Sequence, residues 1–121
     1  MKPVTMATFV LLGLSVPSTV SAQNWERVGE IDSKTAPSGK RGVCVDRDSI
    51  RAISDGYTQY LWGFCDRNGG GEIVKGPVMY AVQCGRDTPL RIYDAGGKEM
   101  GIIGTRLKAD TMAVDYVCRG R

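Results

Sequence analysis

Four cysteines, Cys44, Cys65, Cys84 and Cys118, stand in a chain that contains no histidine, and no two of them lie closer than 19 positions. An even count without a CxxC pair favours two disulfides over thiol redox chemistry or a four-cysteine zinc site, which usually includes a close pair. Two cross-links dictate which segments lie side by side, so they constrain the fold more than any other feature. Counting alone allows three pairings.

Disulfides need an oxidising compartment, and the N-terminus reads as the route to one. Lys2 precedes the apolar run Met6 to Val16, and Val20-Ser21-Ala22 follows it with small side chains where signal peptidase requires them. The run falls short of the roughly 18 apolar residues that cross a bilayer, and Pro17 ends it. Residues 1–22 are therefore expected to be a signal peptide cleaved after Ala22, leaving no stable membrane span. Residues 23–121 then form a single domain of 99 residues, with 15 basic and 13 acidic side chains. A chain of that size buries only about 60 to 70 per cent of its unfolded surface. Each disulfide is expected to add about 3 to 4 kcal/mol by loop closure.

Strand register chooses among the pairings. Gly42-Val43-Cys44-Val45-Asp46 and Tyr57 to Cys65 are rich in β-branched and aromatic residues, with Ser54-Asp55-Gly56 as turn chemistry between them. A hairpin centred near Ser54 and Asp55 places Cys44 opposite Cys65. It puts Val43 and Val45 on the face of Trp62 and Phe64, with both sulfurs on the other face. The expected bonds are Cys44 to Cys65 and Cys84 to Cys118.

The remaining segments read as more short strands. Asn24 to Ile31 makes a first strand with Trp25 and Ile31 at its ends, and the polar stretch Asp32 to Lys40 a loop. Asp48 to Ile53 starts with capping residues and suggests one helical turn. After the flexible connection Asp66 to Gly71, Val78, Tyr80, Val82 and Cys84 share one face of a strand. Pro89 to Asp94 and Glu99 to Thr105 follow as a hairpin around Gly96-Gly97. Asp110 or Thr111 is placed to cap a short helix through Val117, with Met112 and Tyr116 on one side. The expected fold is α+β, an antiparallel meander of five to six strands with a C-terminal helix disulfide-linked to it.

The Trp25 position, Val45 to Ile50, Tyr60-Leu61-Trp62, Tyr80 to Cys84, Arg91-Ile92-Tyr93 and Tyr116-Val117-Cys118 together resemble the surface-adhesin protein E family of Gram-negative bacteria. The resemblance spans nearly the whole mature chain. It implies a single antiparallel sheet with a C-terminal helix tied on by a disulfide, here Cys84 to Cys118. It also implies binding of host extracellular proteins. The chain departs from the family's best-known, lipid-anchored member: it lacks a cysteine after the signal, and it adds Cys44 and Cys65.

The same residues narrow the chemistry. Without histidine there is no Ser-His-Asp or Cys-His pair and no imidazole-ligated metal. A carboxylate enzyme would have to draw on Asp46, Asp48 and Glu99, whose spacing predicts no shared site. Asp46-Arg47-Asp48 starts like a calcium loop. However, Ile50, Arg51 and Tyr57 stand where a ligand, the turn glycine and the bidentate glutamate belong, so a strand-end cap is expected. The glycines at 69–71 and 96–97 lack phosphate-loop spacing. Tyr60, Trp62, Phe64 and Tyr80 are expected to be the core face of the sheet rather than a ligand stack, and Arg119-Gly120-Arg121 a solvated tail.

No enzyme activity, cofactor, metal or nucleic-acid partner is expected. The chain reads as a non-enzymatic exported binding module, in the periplasm or at the cell surface, recognising a protein partner or a second copy of itself through a sheet face or edge. The alternative is an envelope protein that binds a small ligand or inhibits an enzyme.

Overall fold

Apolar side chains recurring at every second position carry the chain into an antiparallel sheet in a computed structural model, which describes residues 24–65 and 73–119. The expected signal peptide, the Asp66 to Gly71 connection and the Gly120-Arg121 end of the tail lie outside those residues. The described residues form seven strands: β1 (Trp25–Asp32), β2 (Lys40–Asp46), β3 (Arg51–Ala52), β4 (Tyr57–Cys65), β5 (Ile73–Gln83), β6 (Leu90–Tyr93) and β7 (Glu99–Ile103). One helix, α1 (Lys108–Cys118), follows. The sheet order is β1-β2-β4-β5-β6-β7 with β3 paired to β4, so the expected meander is present. Both expected disulfides are present, Cys44 to Cys65 and Cys84 to Cys118.

The segment between β2 and β4 departs from the expected hairpin. Asp46 caps a 3-10 turn over Arg47–Ser49 in place of the helical turn expected from Asp48. Arg51 and Ala52 then pair with Gln59 and Thr58, and a second 3-10 turn spans Ser54–Gly56. Ser49 bridges the gap in the ladder: its hydroxyl donates to Asp46 O (2.7 Å) and accepts from Leu61 N (2.8 Å). This slack shifts the register by two, so Cys44 lies opposite Gly63 and Cys65 opposite Gly42. A two-residue slip preserves which face each side chain occupies. The bond therefore forms on the diagonal, across a Cα separation of 6.0 Å. Gly42 leaves it room, because a Cβ there would stand 2.9 Å from Cys65 Sγ.

The front face of the sheet holds the core. Val43, Val45, Tyr60, Trp62, Val82 and Leu90 are buried there against Ala109, Ala113, Val114 and Val117 of α1. Each fully buried aliphatic side chain contributes about 1.5 to 3 kcal/mol. An 11-residue helix is marginal alone, so packing and the Cys84 bond hold it.

Its start differs from expectation. The helix begins at Lys108, so Asp110 is its third residue, and Asp110 Oδ2 accepts from Leu107 N (2.8 Å) to satisfy one of the free N–H groups at that end. The buried stripe runs through Ala109, Ala113 and Val117, while Met112 and Tyr116 flank it. Met112 lies directly over Gly29, where a Cβ would overlap its sulfur.

Candidate functional site

Residues of β4 alternate between the two faces, which places Tyr60, Trp62 and Phe64 together on the front. Antiparallel pairing sets Tyr80 of β5 opposite Tyr60, and Val78 opposite Trp62. The rings meet edge to face: Trp62 to Phe64 at 5.3 Å, Trp62 to Tyr80 at 5.5 Å and Tyr60 to Tyr80 at 6.2 Å between centroids. Such contacts each add about 0.5 to 1.5 kcal/mol beyond area burial.

The helix packs chiefly over β1 and β2, with a smaller contact to β4. The β5 side of this aromatic stripe is left without a roof. What results is a half-open cleft of about 460 Å³, floored by Trp62, Phe64 and Tyr80. Ile103, at the end of β7, and Leu107 and Ala109, at the start of α1, form its other walls. Gly63 and Gly76 deepen it near Phe64, where β5 bulges against β4 and a Cβ on Gly63 would lie 3.0 Å from Lys75 O. The volume falls within the range of about 300 to 1,000 Å³ typical of small-molecule sites. Most of the surface lining it is carbon.

Ionisable groups stand at two places. Lys75 lies exposed on the rim and makes no ion pair among the described residues. Asp110 is buried and already engaged by Leu107 N–H in the first turn of α1, where the helix dipole favours a negative charge. Burial raises the Tyr60 phenol well above its ordinary pKa, and Asp110 and Tyr80 add to the effect. Burial followed by Asp110 raises Tyr80 as well, with the Trp62 indole partly offsetting it. Tyr60 Oη and Trp62 Nε1 are buried without a hydrogen bond of good geometry among the described residues.

The residues singled out from sequence distribute as follows. All four cysteines are in disulfides. The aromatic stripe serves as core, as expected, but Trp62, Phe64 and Tyr80 also face the cleft. Asp46 acts as a cap, its Oδ1 accepting from Asp48 N and Asn24 N, both at 3.1 Å. Glu99 sits on β7, separated from Asp46 on β2 by β4, β5 and β6. Among the described residues no three histidine, cysteine or acidic side chains cluster in a way that could hold a metal ion.

Sequence reasoning placed Val78 on the face of Tyr80 but did not single out Lys75, Ile103 or Leu107. The one local signal is Leu107, an apolar residue isolated within Thr105-Arg106-Leu107-Lys108 and left 69 % exposed. No family model matches the chain, and no curated protein or solved structure matches it.

Proposed function

We propose that this chain is an exported, non-enzymatic binding module whose recognition site is the cleft between β4, β5, β7 and α1. The observation that carries the reading is the cleft itself, an apolar hollow with Val78 and Leu107 exposed at its edge in a domain held by packing and two disulfides. Exposed apolar surface of this kind costs solubility and is retained where something binds. Export is supported by the N-terminal pattern of residues 1–22 and is compatible with two disulfides. No helix among the described residues is long and apolar enough to cross a membrane. A non-catalytic role is supported by the absence of histidine from the sequence, by the oxidised cysteines and by the use of Asp46 and Asp110 as caps.

A second reading, recognition of a protein partner at a sheet edge, is favoured by β7. That strand ends the sheet, and its Met100 and Ile102 are 67 % and 63 % exposed. Edge strands normally carry charge that discourages pairing, so an apolar edge suits an added strand from a partner or from a second copy of the chain. The resemblance to the adhesin family would make host extracellular proteins the partners.

Affinity capture with the oxidised protein, from cell-envelope extract and from a panel of extracellular matrix proteins, separates these readings. The cleft reading expects capture to be lost on Leu107→Glu and kept on Ile102→Lys, with disulfides and melting temperature unchanged. The edge reading expects the reverse. Capture indifferent to both substitutions would overturn both.

A further inference from the structure

The cleft has a polarity that narrows its ligand. Its interior is carbon, and its two ionic groups stand in different relations to it. Asp110 is buried and tied into the first helical turn, so a second anion brought beside it would be repelled with little solvent screening. Lys75 is exposed and makes no ion pair among the described residues, so among those residues the uncompensated charge lining the cleft is positive and lies on its rim.

We propose that the cleft binds one free medium-chain fatty acid, its alkyl chain lying along Trp62, Phe64, Val78 and Leu107 and its carboxylate paired with Lys75. This inference rests on the reading of the cleft as the recognition site and names the class of ligand.

Three properties of the site favour that occupant. A single alkyl chain needs no hydrogen bonds, and the lining offers few. A lone cation at the rim matches a small monoanionic head group. Asp110 rejects that head from the interior, which fixes one orientation: chain inward, carboxylate outward. A bilayer lipid fits less well, because it brings two chains and a larger head to a half-open hollow with a single lysine.

The test uses the oxidised protein at pH 8 with decanoate, decyltrimethylammonium and decanol as probes. The readout is the indole N–H resonance of each of the two tryptophans, Trp25 and Trp62. Decanoate is expected to shift Trp62 and leave Trp25 in place, saturating at one molecule per chain. Lys75→Glu is expected to weaken decanoate about three- to ten-fold, the loss of one exposed ion pair plus its replacement by a repulsion, and to tighten decyltrimethylammonium. Leu107→Glu should weaken all three probes. Lys75 and Leu107 are both exposed, so the variants keep the fold, and unchanged spectra away from the cleft verify it; Lys75→Gln serves as a second, milder variant.

Equal binding of the three probes with no response to either Lys75 substitution would overturn the fatty-acid assignment. So would shifts of equal size at Trp25, or no shift at all. If the amphiphiles fail while Leu107→Glu still abolishes capture of a protein, the binding-module reading stands and only the ligand class falls.

Discussion

Tyr60 is the residue whose environment conflicts most with its chemistry. Its ring is fully buried and fills the centre of the core, yet its hydroxyl has no hydrogen-bond partner among the described residues. An unsatisfied buried hydroxyl costs about 1 to 3 kcal/mol, which offsets part of what the ring contributes. Tyr60→Phe is therefore expected to leave stability within about 1 kcal/mol of the wild type or to raise it, as read by urea unfolding at pH 7. A loss of about 2 kcal/mol would mean that the hydroxyl is bonded. The raised pKa gives a second signature. The folded state holds the phenolic proton more tightly than the unfolded chain does, so the associated stability is complete below about pH 10, where an unfolded tyrosine titrates, and declines above it. Tyr60→Phe should flatten this alkaline decline, and Tyr80, raised for similar reasons, should account for much of what remains.

At the scale of elements, α1 depends most on a single covalent bond. Opening the 34-residue separation between Cys84 and Cys118 is expected to cost about 3 to 4 kcal/mol. In the double variant Cys84→Ser, Cys118→Ser, hydrogen exchange should report early loss of protection in α1 while β2, β4 and β5 stay protected; simultaneous loss would show that helix and sheet form one cooperative unit. The helix also illustrates what the sequence made legible. Its existence followed from the Asp110 and Thr111 capping residues and the Met112–Tyr116 spacing, but its first turn did not, because Leu107 and Lys108 carry no capping side chain and Asp110 works from the third position. The Cys44 to Cys65 pairing survived a register error, since a slip of two residues keeps sulfurs and valines on their own faces. β3 was missed because two residues are too few to display a period. The cleft was not legible. Trp62 and Tyr80 read as core, Lys75 and Leu107 fell between the expected elements, and the partial reach of α1 over the sheet brings the four together.

For the whole molecule, the placement of the cross-links matters more than their number. The Cys44–Cys65 bond encloses the β2 to β4 segment, and the Cys84–Cys118 bond encloses β6, β7 and α1. Neither bond spans the other. A tryptic cut at Lys98, in the exposed turn before β7, is expected to leave a product that runs as one species on a denaturing gel without reductant. A cut at Lys75 should yield two species on the same gel. A single species after cleavage at Lys75 would contradict this disulfide connectivity. Topologically the protein is two closed rings strung in series on one thread, and between the rings the halves are kept together by the ladder of β4 against β5, the shared core and the contacts of Gln83 and Arg91 with Asp55 and Tyr57. Damage inside either ring is thus contained, whereas one break between them turns a single chain into a noncovalent pair of fragments whose survival depends on dilution.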